Sequence, residues 1–192
     1  MNIGVLALQG DFLEHQKILT SLSVNTKQVR LSAELNGLDG LIIPGGESTT
    51  IGKLAVDFNL MEPLRVFAKN HAVWGTCAGS IFLSKDARRA QPLLGIMDIK
   101  VERNAFGRQV DSFETDLEIP ALAKLSKNNP PFHAFFIRAP LIEDVEKNVE
   151  VLAKLPNGKI VAARQGKWLA TSFHPELTSD NRFHRLFLEM IL

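Results

Sequence analysis

The chain has 192 residues, 45% of them apolar, enough for one domain with a full core and too few for a second independent one. Lys and Arg total 22 against 21 Asp and Glu, and no basic run exceeds Arg88-Arg89; this excludes an electrostatic footprint for nucleic acid or an anionic membrane and leaves a small substrate or a protein partner. One cysteine excludes an internal disulfide or a cysteine zinc cluster, and the first apolar run, Ile3 to Leu8, lacks the basic start and length of a signal peptide, so the expectation is a reduced, cytoplasmic protein with no membrane span.

The elements alternate from the start of the chain. "NIGVLAL" is an apolar run without alternation, the pattern of a strand covered on both faces, and Asp11 with Glu14 three residues on is placed to box the start of a helix. "GLDGLIIPGG" and "HAVWGTCAG" repeat the design, each a strand ending in glycine-bounded turns that run into helical sequence, with Pro63 opening the helix before the second. Strands alternating with helices predict a parallel sheet with helices on both faces. After about residue 95 the texture changes. "IMDIKVE" puts Met97, Ile99 and Val101 on one face and charged residues on the other. "VEVLAKL", "KIVAAR" and "WLATSF", separated by Pro156-Asn157-Gly158 and Gln165-Gly166, predict an antiparallel meander, so the sheet is expected to be mixed. "KNNPP" at 127–131 reads as a loop. The chain closes on a helix with Phe183, Leu186, Phe187, Met190 and Ile191 on one stripe and Ser179 or Asp180 as cap.

Gly75-Thr76-Cys77-Ala78-Gly79 has the glycine-x-nucleophile-x-glycine spacing of a nucleophile elbow, in the strand-to-helix context that motif requires. A thiol there sits at a helix N-terminus, where the dipole favours the thiolate. The competing reading is a buried structural cysteine. A nucleophilic cysteine needs a base, and the base an orienting group. Of the five histidines, His15 and His184 fall in helices among polar neighbours and read as solvent-exposed; His71 and His133 begin strands, the end away from an α/β active site. His174 ends "WLATSF" and precedes Pro175-Glu176. Proline holds the residue before it extended, and residues two apart in extended chain point the same way, so His174 and Glu176 can meet. "IIPGGEST" supplies glycines whose N–H groups can meet an oxyanion, with the N–H of Ala78 as the second donor. A phosphate loop fails on spacing, because Glu47 stands where the first glycine is needed and Leu54 where a hydroxyl should follow Lys53. No dinucleotide fingerprint or zinc helix is present, so neither cofactor nor metal is expected.

"PGGEST", "GTCAG" and "SFHPE", in that order, resemble the three signature blocks of the class I, triad-type glutamine amidotransferases. "GVLALQGDFLEH", "VERNAFGRQVDSFE", "FIRAP" and "FHPEL" narrow the likeness to the glutaminase subunits of two-component pyridoxal 5′-phosphate synthases, over nearly the whole chain. The resemblance implies a three-layer, flavodoxin-like α/β fold with a mixed, mainly parallel sheet, a single domain over 1–192, and hydrolysis of L-glutamine to glutamate and ammonia. It implies Cys77 as nucleophile, His174 as base and then acid, and Glu176 as orienting carboxylate. Backbone donors at Gly46 and Ala78 would hold the oxyanion. Gly46, Glu47, Ser48, Arg103, Ile137 and Arg138 would line the glutamine pocket, and Gln9 would lie by the oxyanion region and the partner interface. The implied partner is the synthase subunit, a TIM barrel in a large ring complex that activates the glutaminase and receives its ammonia. A stand-alone cysteine hydrolase, a sister glutaminase serving another synthase, and a catalytically silent interaction module are the other readings; the intact Cys77, His174 and Glu176 argue against the last.

Overall fold

In the computed structural model, residues 1–103 and 112–192 are described. Most of the stretch "RNAFGRQVDSFE", from 104 to 111, lies outside the described residues. The first half alternates as its apolar runs predict: β1 (Asn2–Leu6), α1 (Phe12–Ser21), β2 (Asn25–Val29), β3 (Gly40–Ile43), α2 (Ser48–Asp57), α3 (Met61–Asn70), β4 (Ala72–Thr76) and α4 (Ala78–Leu83). The second half is strand-rich: β5 (Ser84–Asp86), β6 (Met97–Glu102), β7 (Ser112–Leu117), β8 (Phe132–Ile137), β9 (Leu141–Val145), β10 (Glu150–Lys154), β11 (Ile160–Gln165) and β12 (Trp168–Thr171), followed by α5 (Arg182–Glu189).

The main sheet runs β2-β1-β3-β4-β12-β11-β9-β6-β5, with β10 on β11 and a separate β7-β8 hairpin. From β2 to β12 the strands are parallel; β12, β11 and β10 then form the antiparallel meander that the turn signals predict. The unalternating strands are apolar because both of their faces are covered. Ile3, Val5, Ile42 and Trp74 face one core with Leu19 of α1 and Phe183 and Phe187 of α5. Leu6, Leu41, Ile43 and Val73 face the other with Ile51 of α2, Leu64 of α3 and Ile81 of α4. The result is three layers, helices on both sides of a mixed sheet. No helix among the described residues is long and apolar enough to cross a membrane.

Two local expectations are corrected. Asp11 makes no capping hydrogen bond to α1, so the Asp11–Glu14 box does not form. Its backbone N–H instead donates to Gly45 O at 3.2 Å, and its Oδ2 lies 3.5 Å from His174 Nδ1, which turns the carboxylate toward the loop after β3. At the other end of the chain, Asp180 Oδ1 accepts from Arg182 N at 3.0 Å, as the capping expectation requires, while the residue before α5, Asn181, caps nothing through its side chain.

Candidate active site

Because β1, β3, β4 and β12 are parallel, their carboxyl ends open on one side of the sheet, where α/β proteins build their sites. Four segments meet there: Gln9 to Asp11 after β1, Gly45 to Glu47 after β3, Cys77 after β4 and His174 after β12.

Cys77 has φ 45° and ψ −110°, a left-handed elbow that turns β4 directly into α4. Such strain persists only where surroundings over-determine it, and here they do. The Cys77 N–H donates to Thr171 O at 2.8 Å and Ser80 Oγ donates to Cys77 O at 2.7 Å. A Cβ on Gly79 would lie 2.0 Å from Ile43 O, so only glycine lets α4 lie this close to β3. The flanking glycines therefore do what the motif demands of them, and the first turn of α4 presents the Ala78 N–H, which has no acceptor a turn behind it.

His174 is pinned by its own N–H to Phe135 O at 2.9 Å, and its Nδ1 meets Glu176 Oε1 at 2.7 Å, across the extended-to-turn step that Pro175 enforces. Both side chains are buried. Burial works against a charged imidazole, yet the hydrogen bond with Cys77 and the Glu176 carboxylate push the His174 pKa up to about 10. Burial in turn raises the Glu176 pKa, and His174 opposes that rise. With Nδ1 taken by the carboxylate, Nε2 is left for the thiol. An imidazole held this way can take a proton from a thiol and return it to a leaving amine. Asp11, His174 and Glu176 bring one donor atom each within 4.8 Å of one another, and within that group His174 Nδ1 and Glu176 Oε1 are already paired at 2.7 Å.

Cys77, Ala78 and His174 border a cavity of about 450 Å³. Gln9, Gly46, Glu47, Ser48, Arg103, Ile137 and Arg138 line it too, while Glu176 lies outside the lining and joins it through His174. Glu47 accepts hydrogen bonds from Thr49 N, Thr50 N and Thr50 Oγ1, capping α2, and its Oε1 is 2.7 Å from Arg103 Nη1. Partial desolvation opposes its ionisation, but the Thr50 and Thr49 bonds and the guanidinium hold its pKa near about 2. Arg103 is thereby turned to Glu47 and Thr49. Gln9 Oε1 accepts the Glu47 N–H at 2.7 Å, and its side chain lies against Gly46, whose φ is 147°. A larger groove of about 580 Å³, bordered by Asp39 and His71, sits at the opposite ends of the strands, away from this chemistry.

His15 and His184 are corrected: both are fully buried rather than exposed. His15 Nε2 lies 3.2 Å from Thr76 Oγ1 and 3.4 Å from Glu176 Oε2. The readable signal was spacing, because His15 lies on one stripe with Leu19 of α1, and His184 stands three residues before Phe187 on α5. Asp11, read as a cap, is the other residue of the site whose position was missed.

Among solved structures, the fold has the shape of the glutamine amidotransferases. The crystal structure of a glutamine amidotransferase matches with a TM-score of 0.91 and 51% identity, covering 98% of each chain. A glutamine amidotransferase from Thermotoga maritima shares the fold alone, with a TM-score of 0.62 and 14% identity over 98% of this chain and 81% of that one. The chain belongs to the SNO glutamine amidotransferase family, whose family model matches residues 5–192. It is 58% identical to the pyridoxal 5′-phosphate synthase subunit PdxT of Herpetosiphon aurantiacus, over 98% of this chain and 99% of that protein. It is 56% identical to PdxT of Moorella thermoacetica over the full length of both.

Proposed function

We propose that this chain is the glutaminase subunit of a pyridoxal 5′-phosphate synthase: it hydrolyses L-glutamine to L-glutamate and ammonia, and the ammonia serves vitamin B6 synthesis. The observation that carries the reading is the constellation of Cys77 and His174 on the cavity wall with Glu176 bonded behind His174, in a chain more than half identical to PdxT proteins over its whole length. The whole of 1–192 acts as one glutaminase domain.

The Cys77 thiolate attacks the side-chain amide carbon of glutamine. The resulting oxyanion is held by backbone donors at Gly46 and Ala78, and the His174 imidazolium protonates the departing nitrogen, which leaves as ammonia. Water that gives a proton to His174 then attacks the thioester carbon, the Cys77 thiolate leaves and glutamate is released, which restores the thiolate–imidazolium pair. Glu176 holds His174 in orientation and favours its charged form. Glu47, Ser48 and Ile137 shape the pocket, and a guanidinium of Arg103 or Arg138 suits the substrate carboxylate because it can donate two parallel hydrogen bonds.

The partner is the synthase subunit, which by the family resemblance forms a large ring and receives the ammonia through an internal tunnel in the cytoplasm. Removing one oxyanion donor costs about 10²- to 10³-fold in rate. A Gly46 peptide that turns its N–H inward only on docking therefore makes an effective switch, and Gln9, bonded to the neighbouring Glu47 N–H, is placed to couple the two. Glutamine turnover measured with and without the synthase subunit tests the reading. Stimulation by the partner and abolition by Cys77→Ala are expected; unchanged turnover in Cys77→Ala would overturn the mechanism, and no stimulation would overturn the partner assignment.

A further inference from the structure

Behind the triad lies a second line of polar groups that ends on Glu176 and whose other members the mechanism does not use. His15 of α1, Thr76 of β4, His184 of α5 and Glu176 are all buried. His15 Nδ1 is 3.0 Å from His184 Nε2, while His15 Nε2 is 3.2 Å from Thr76 Oγ1 and 3.4 Å from Glu176 Oε2. Among the described residues, the line ends on each side at a polar atom with no hydrogen bond, Glu176 Oε2 and His184 Nδ1; His15 Nε2 stands 3.4 Å from the first, a charge–dipole contact rather than a hydrogen bond. Those two ends determine where the protons sit. A buried N–H without an acceptor is rarer and costlier than a bare lone pair, so His184 carries its proton on Nε2 and donates it to His15 Nδ1. His15 must then carry its own proton on Nε2, aimed between Thr76 Oγ1 and the outer oxygen of Glu176. Both imidazoles are neutral: burial, with the nearby His184 and His174, takes the His15 pKa well below its usual value, and burial takes that of His184 to about 3. Trp74 fixes both rings edge-on, at 5.6 Å from His15 and 5.0 Å from His184.

We infer that His15, its tautomer set by His184, is a positioning residue of the triad, presenting an N–H to the Glu176 oxygen that does not face His174. This rests on the reading of Cys77, His174 and Glu176 as the triad. The groups that face Glu176 are His174 on one oxygen, His15 on the other and the Asp11 carboxylate nearby, which disfavours its ionisation. Of these, His15 supplies a neutral donor that stabilises the carboxylate without competing for the proton of His174. Without it, Glu176 takes up a proton more readily, His174 loses its counter-ion as the pH falls, and the thiolate–imidazolium pair is lost at a higher pH than in the wild type.

The experiment compares His15→Leu, which keeps bulk and removes the donor, with His15→Gln, whose amide N–H₂ can reach the position of Nε2. Glutamine turnover is followed across pH in the complex with the synthase subunit. Alkylation of Cys77 by iodoacetamide is followed across the same range without glutamine. Loss of the N–H that faces the buried carboxylate oxygen at 3.4 Å predicts that H15L lowers kcat about 10- to 100-fold with KM little changed. The acid limbs of both profiles should move to higher pH in H15L, and H15Q should recover most of both effects. Equal loss in the two variants with unmoved profiles would reduce His15 to packing and overturn the inference, as would an unchanged kcat in H15L. If wild-type protein fails to turn over glutamine, the glutaminase reading falls, while the alkylation profiles still test the relay. Should H15L not fold, long-range proton–nitrogen NMR of the wild type decides: Nε2–H tautomers at His15 and His184, unprotonated at neutral pH, are expected, and a proton on Nδ1 of His15 would overturn the inference.

Discussion

The charge on His174 is held against its burial by the thiol on one side and Glu176 on the other. Its pKa of about 10 stands above the ordinary histidine value, so its contribution to stability is complete below about pH 6.5 and is lost as the pH rises through 10. Glu176→Gln removes the partner that maintains this state and leaves an amide that can donate where His174 needs an acceptor. We expect glutaminase activity to fall by at least about 100-fold, by analogy with carboxylate-to-amide changes in other triads. Thermal stability at neutral pH should fall as well, because the amide no longer holds the buried His174 charge. Steady-state assays of the purified complex, with a melting curve of the same sample, measure both.

At the level of elements, the elbow depends on how closely α4 packs on β3. A methyl at Gly79 would meet the Ile43 carbonyl, which belongs to a central strand and cannot yield. Gly79→Ala is expected to destabilise the fold by about 1–3 kcal/mol and to move Cys77 enough to abolish turnover, whereas the helix propensity of alanine alone would have stabilised α4. Urea unfolding of the variant gives the sign. The elements that carry the chemistry were legible in the sequence because each advertises itself locally: apolar runs for β3 and β4, glycines for the elbow, and an extended His-Pro-Glu step for the base and its carboxylate. β2 was not legible. Among the described residues it is an edge strand paired only with β1, and its "NTKQV" leaves Asn25 and Lys27 exposed with little apolar sequence to mark it. His15 and His184 were misread for a different reason. A histidine on a helix reads as exposed until the helix's buried stripe is drawn, and the partner that makes its burial tolerable comes from the other end of the chain. Asp11 likewise looked like a cap because capping is local, while the histidine it faces arrives with β12.

For the whole molecule, the buried histidines make acid the weak side of the stability profile. His15 and His184 have folded pKa values below their unfolded ones, so the stability they contribute is complete above about pH 6.5 and is lost as the pH falls toward about 3, where His184 titrates in the fold. Glu176 acts in the opposite sense, its raised pKa favouring the fold as it protonates. His174 also gains as the pH falls to about 6.5, but two buried imidazoles outweigh it and the carboxyl, and the urea midpoint is expected to fall between pH 7.5 and 4.5, by the equivalent of a few kcal/mol. His184→Phe should flatten that slope. A midpoint independent of pH over this window would contradict the burial of both rings.

The seating of β12 between β4 and β11 also places the working site in time. Thr171 pairs with Thr76, and the Cys77 N–H bonds to Thr171 O, so the nucleophile's backbone is completed by a strand near the end of the chain. During synthesis at about 5–20 residues per second, the thiol emerges several seconds before its base. Until the last strand is inserted, a nascent chain has a cysteine but neither an oriented imidazole nor a finished elbow. On the proposed assignment of Cys77 and His174, chains still on the ribosome, or truncated ahead of β12, are expected to consume no glutamine.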